Sequence, residues 1–93
     1  MKAMIINGFG GPDIFERVEF PTPYAREGEV IIKVEASSVN PVDYKIRDGR
    51  IPFLAPSHPT ILHSDTSGTI ADVGPGVSGF VRGDRVMAFA TGL

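Results

Sequence analysis

The chain has 93 residues, room for one small domain, and its 42% hydrophobic and 22% charged content is that of a folded chain, not a disordered one. A formal net charge of −2, with Lys and Arg scattered along the chain, excludes the basic stripe of a nucleic-acid-binding domain and the basic face of a membrane-surface helix. The absence of cysteine excludes disulfides and every thiolate zinc site, and no run approaches the roughly 20 apolar residues of a membrane-spanning helix.

Eleven glycines and eight prolines in so short a chain favour short strands joined by turns over a helical bundle. The opening MKAMIINGFG lacks the length and small-residue cleavage site of a signal peptide, so the expectation is a soluble, cytoplasmic protein. Lys2–Ile6 reads as a strand ended by the turn at Gly8, Gly10 and Gly11, and Phe15–Phe20 as a short strand stopped by Pro21 and Pro23. Glu29–Ala36 is the clearest strand. Its alternation places Val30, Ile32, Val34 and Ala36 on a core face and Ile31, Lys33 and Glu35 on a largely solvated one.

A two-turn helix is expected over Pro41–Asp48. Asn40 is the N-cap, Pro41 the first helical residue, Asp43 the acidic residue facing free backbone N–H groups, and Gly49 the stop. Ile51–Pro59, with three prolines, is expected to be irregular. Thr66–Val73 and Arg85–Ala90 read as two further strands.

Between them lies Gly74-Pro75-Gly76-Val77-Ser78-Gly79, which matches the G-x-G-x-x-G of dinucleotide-binding proteins. That motif needs a helix after its last glycine and a unit of about 30 residues with an acidic residue about 20 on. Here Phe80-Val81-Arg82 gives way at once to the turn signal Gly83-Asp84. The stretch is therefore read as a strand-to-strand connection whose glycines adopt positive φ.

Few residues offer chemistry. His63 and Asp65 share a face if their segment is extended, but a metal needs three or four ligands and no third is apparent. His58, between Ser57 and Pro59, reads as solvated. Ser64 beside His63 has no nucleophile-elbow context, and adjacent strand residues face opposite ways, which argues against a relay between them. Asn40, Asp43, Tyr44 and Lys45 form the densest polar cluster. Spacing alone favours a capped amphipathic helix with a solvated lysine; Lys45 gains an electrostatic role at a developing oxyanion only where it faces a cleft.

Three stretches taken together, MKAMIINGFGGPDIFE, EVIIKVEASSVNPVDYKIRDG and HSDTSGTIADVGPGVSGFVRGDRV, resemble the N-terminal GroES-like domain of medium-chain dehydrogenase/reductases. The resemblance runs over essentially all 93 residues, and its V-N-P-V-D, S-G-x-I-x-x-V-G-x-G-V and G-D-R-V spacings are highly specific. The N-P-V-D-x-K version is most similar to zinc-independent quinone and enone reductases, with the zeta-crystallin-like quinone oxidoreductases nearby.

The resemblance implies a mainly β fold with short helices: a distorted, partly open β-barrel spanning residues 1–93, itself incomplete. A separate Rossmann domain, absent from this chain, would bind the cofactor. It implies the substrate side of an NADPH-dependent enzyme, expected to be inactive as the isolated chain, that reduces quinones or α,β-unsaturated carbonyls and works as a homodimer without nucleic-acid or membrane partners. Zinc-dependent relatives carry a cysteine at the place of Asn40 and a His-Glu pair at the place of Ser64-Asp65, so no zinc is implied. Residue by residue, Asn40, with Pro41 and Asp43 beside it, falls to the nicotinamide. Lys45 becomes the charge stabiliser, acting with Tyr44, and Tyr44 and Asp65 fall to the substrate. Many quinone reductases have Thr-Tyr where this chain has Tyr44-Lys45, a departure at the substrate pocket. The other reading is a stand-alone GroES-like binding or assembly module, which would sediment as a large oligomer.

Overall fold

The computed structural model describes residues 1–89. Each segment read as a strand forms one. β1 (Lys2–Ile5) and β2 (Glu16–Glu19) make an antiparallel pair, with Lys2 opposite Glu19 and Ile5 opposite Glu16. β3 (Val30–Ser37), β4 (Asp65–Val73) and β5 (Arg85–Phe89) make a second antiparallel sheet with β4 in the middle. The ends differ from the expected bounds by a residue or so, and the expected last strand residue, Ala90, lies outside the described residues.

Ile6, read as the end of β1, instead exchanges both backbone hydrogen bonds with Thr60, at 2.9 and 3.0 Å. That bridge fastens the small sheet to the segment entering β4. The buried apolar side chains are Ile5, Ile6, Leu62 and Ile70, of which Ile6 and Ile70 are the large ones fully enclosed. The sheets do not close on each other, so the architecture is mainly β and partly open, as expected.

β3 departs from its expected pattern. Val30, Ile31 and Ile32 are all half-buried, whereas Val34 and Ala36, assigned to the core face, are exposed. The register on β4 slips between Ile31 and Ile32 and again between Val34 and Ala36. Each slip is a bulge that adds an unpaired residue and breaks the two-residue alternation on which the expectation rested.

The helix, α1, spans Pro41–Arg47, one residue shorter than expected. Asp48 is its cap and Gly49 follows at φ +83°. Ile51–Pro59 is less irregular than its prolines imply, because Pro52–Leu54 forms one 3₁₀ turn.

The glycine-rich stretch connects β4 to β5 with no helix after it. Gly76 and Gly79 take positive φ as expected, but Gly74 does not. Its lack of a side chain serves close approach: a Cβ there would strike the carbonyl oxygens of Arg26 and Glu29, whose turn the Gly74 N–H joins by a 2.8 Å bond to Glu29.

Candidate active site

α1 begins with a reciprocal cap. The Asn40 side-chain oxygen accepts from the Val42 N–H at 3.4 Å, and the Asp43 carboxylate accepts from the Asn40 N–H at 2.7 Å. Pro41 fills the first helical position, where a missing N–H leaves nothing unpaired. Asp43 is only 3% exposed, whereas Asn40 is half-buried, so the cap is shielded from water on its carboxylate side.

Asn40 also faces the other way. Its Nδ2 donates to Asp65 Oδ2 at 3.4 Å, and the Ser38 hydroxyl donates to the same oxygen at 3.3 Å. The first residue of β4, the residue that follows β3 and the cap of α1 thus meet at one carboxylate. Of the residues singled out in the sequence, Asn40, Pro41, Asp43 and Asp65 come together here. Ser38 was missed, since nothing local in Ser37-Ser38-Val39 signals a partner 27 residues on.

Two hollows flank this junction. The larger, broad and open, has a volume of about 530 Å³ and is bordered by Ser38, Asp65, Thr66, Met87 and Phe89, among others. The smaller, about 190 Å³, is formed by Phe15, Val39, Asp43, Tyr44, Arg47 and His63. Tyr44 and Asp65, both assigned to the substrate, therefore line different hollows. Lys45 lines neither. It sits about 200° around the helix from Asp43, is exposed, and has no ion-pair partner among the described residues.

Thr66 borders the larger hollow with its Oγ1 buried and without a hydrogen-bond partner among the described residues. Pattern reading had passed over it as an ordinary strand threonine.

Beyond Tyr44, the Arg50 guanidinium lies 5.6 Å from the ring centroid. Arg50 Nε binds Asp48 Oδ2 at 2.6 Å, and this hydrogen bond holds the Asp48 carboxyl below the usual carboxylate range and Arg50 above its own. The pair is open to water, so its effect is to aim the guanidinium, with little contribution to stability.

The histidines differ from expectation. His63 has φ +72°, so its segment is not extended and it does not share a strand face with Asp65; its ring is tilted against Phe15 at 6.1 Å. His58 is not solvated: Nε2 is buried, and the ring stands edge-on to Phe9 at 5.0 Å. Among the described residues no three of His, Cys, Asp and Glu converge as a metal site.

The donor set fits one end of a nicotinamide cofactor. Asn40 offers a carboxamide whose oxygen is taken up by the N–H groups of the helix start and whose nitrogen donates to Asp65, leaving its second N–H uncommitted among the described residues. The pyrophosphate finds no such fit, since the glycine stretch opens no helix.

The family model for the alcohol dehydrogenase GroES-like domain matches residues 26–92. A chloroplast envelope quinone oxidoreductase homolog of Arabidopsis thaliana is 42% identical over 95 residues, covering 100% of this chain and 29% of its own length. The crystal structure of Escherichia coli quinone oxidoreductase complexed with NADPH superposes with a TM-score of 0.90 at 31% identity, over 100% of this chain and 28% of that one. A cobalt- and zinc-bound thermostable alcohol dehydrogenase from Pyrobaculum aerophilum superposes with a TM-score of 0.85 at 37% identity, over 94% and 26%. This chain thus spans less than a third of the length of each.

Proposed function

Since the chain belongs to the alcohol dehydrogenase GroES-like domain family, we propose that it forms the substrate-side part of an NADPH-dependent, zinc-independent oxidoreductase acting on quinones or α,β-unsaturated carbonyls. The observation that carries this reading is the Asn40–Asp65–Ser38 junction, set on the helix cap beside an open hollow. Its support is the likeness to the two quinone oxidoreductases. No helix among the described residues is long and apolar enough to cross a membrane. The cytoplasm is the proposed compartment, the chloroplast named for the Arabidopsis relative is the other one to test, and a homodimer is the proposed working unit.

When bound, NADPH supplies the hydride. Asp65 holds the Asn40 side-chain amide in one orientation, and that amide would hold the nicotinamide carboxamide. Pro41 and Asp43 keep Asn40 at the helix start. A carbonyl compound that accepts hydride is left with an anionic oxygen. Lys45, the expected charge stabiliser, lines neither hollow and stands exposed on α1, so it offsets that charge only where polypeptide beyond these residues closes a cleft over the outer face of the helix. The remaining cofactor contacts fall to polypeptide beyond these residues, in keeping with the greater length of the relatives. Zinc independence rests on the donor set: no cysteine in 93 residues, and a carboxamide and a hydroxyl at Asn40 and Ser64.

The test is NADPH oxidation by the complete natural protein with duroquinone. Steady turnover is expected, unchanged after dialysis against a chelator, and Lys45→Ala should lower kcat/KM about tenfold, a loss moderated by the exposure of the lysine. A complete protein that consumes no NADPH with quinone or enone, and sediments as a large ring, would replace this reading with the assembly module.

A further inference from the structure

We propose that His63 is a positioning residue: its left-handed backbone, and not its imidazole, brings the Asp65 carboxylate to the Asn40 side-chain amide. The inference rests on the function proposed above, in which that amide holds the nicotinamide carboxamide.

Among the described residues, His63 alone has a positive φ without being glycine, at +72°. Left-handed backbone is costly for a residue with a Cβ, which crowds the following carbonyl oxygen, and only glycine and asparagine-like residues adopt it readily. A chain keeps it where the surroundings impose it. Here the surroundings are two anchored ends with residues 61–64 between them. At one end Thr60 exchanges backbone hydrogen bonds of 2.9 and 3.0 Å with Ile6, and Leu62 beyond it is buried. At the other, Asp65 opens β4 opposite Phe89, and its Oδ2 accepts from Asn40 and Ser38. The left-handed residue turns the chain from the first anchor to the second.

An extended residue at position 63 would send the chain on another course, so one anchor would have to give. The bond lengths decide which. Two short backbone bonds and the buried Ile6 and Leu62 hold the Thr60 end. Asp65 holds the junction by contacts of 3.4 and 3.3 Å, from the end of the β4–β5 pairing. The junction therefore yields first, and Asn40 loses the partner that orients its amide.

The imidazole lies elsewhere. It borders the smaller hollow, tilted against Phe15, whereas Asp65 borders the larger one. Both side-chain contacts of the Asp65 carboxylate come from Asn40 and Ser38, and none from His63. What position 63 supplies to the junction is a conformation, which glycine or asparagine supplies at least as well.

His63→Val, His63→Gly and His63→Asn in the complete natural protein test the proposal, read out by the Asn40 side-chain amide resonances and the NADPH dissociation constant. Valine, β-branched, resists the left-handed region most strongly. It is expected to move the Asn40 amide toward random-coil positions and to weaken NADPH about tenfold, the size of one lost hydrogen bond to a charged group. Glycine and asparagine, which both lack the imidazole, should leave the two readouts near those of the parent. A merely structural role for His63 would lower the melting temperature of the valine variant and move neither readout, which overturns the proposal. So does a glycine variant that weakens NADPH as much as valine does, because the ring would then be the acting group. Should His63→Val not fold, His63→Ala, less strained in the same region, takes its place on the same two readouts. If the parent protein binds no NADPH, the oxidoreductase reading fails first and this proposal goes with it; if the parent binds NADPH and the variants do not follow the expected order, this proposal alone fails.

Discussion

Replacing Gly68 with alanine is expected to lower stability by about 2–3 kcal/mol and the melting temperature by about 10–20 °C. Gly68 lies in the central strand, opposite Val34 on one side and Val86 on the other. An added Cβ would run into the carbonyl oxygen of Lys33, with the Lys33 carbonyl carbon at 2.9 Å and the Glu35 N at 3.2 Å. All three are backbone atoms, so no side chain can swing aside. Relief would require β3 to move away from β4, across the most extensive strand pairing of the molecule and over a small buried core. Total stabilities of single domains are only about 5–15 kcal/mol, so the loss is a large part of the whole. Gly8→Ala is the control: nothing lies within 4 Å of a Cβ there, and its φ is not positive. Thermal melts of the two variants decide the matter, and a Gly68→Ala protein melting within about 2 °C of the parent would show that β3 yields easily.

The pairing of β3 with β4 explains why the β3 pattern misled. Two-residue alternation is a local signal, and it located the strand correctly. Which of its residues face the core depends on two bulges, one opposite Asp72 and Ile70 and one opposite Gly68 and Ser67, in a segment more than thirty positions on. By contrast, the start of α1 was legible because every signal for it sits within four consecutive residues, Asn40 to Asp43, that cap one another. The strand-to-strand reading of the 74–79 stretch was equally local, resting on a turn where a helix would have to begin. The function of Gly74 was not, because the carbonyls it admits belong to Arg26 and Glu29. The candidate site divides in the same way. Asn40, Asp43 and Asp65 were named from sequence and resemblance, but the contact of Asn40 with Asp65 spans 25 positions and that of Ser38 with Asp65 spans 27. The bare Thr66 hydroxyl and the left-handed backbone of His63 have no one-dimensional signature at all.

Asp43→Ala should be the other severe substitution, with a loss of about 2–3 kcal/mol against about 1 kcal/mol for Asp43→Asn. The carboxylate is buried, and its bond to the Asn40 N–H is short and charge-assisted. It also stands in the first turn of α1, where negative charge meets the unpaired N–H groups of the helix start. Alanine removes the acceptor, leaves the Asn40 N–H without its partner, and opens a gap. Asparagine keeps the shape and an acceptor oxygen, losing chiefly the charge. Because Asn40 is gripped at its backbone by Asp43 and at its side chain by Asp65, loosening one grip releases the other. Urea unfolding should give the order parent, Asn, Ala. The Asn40 side-chain amide resonances should move toward random-coil positions in Asp43→Ala while staying near the parent positions in Asp43→Asn. If Asp43→Ala were as stable as the parent, the cap would contribute nothing. If it were destabilised but the Asn40 amide did not move, Asp65 alone would hold that side chain, and Asp43 would belong to the fold but not to the site.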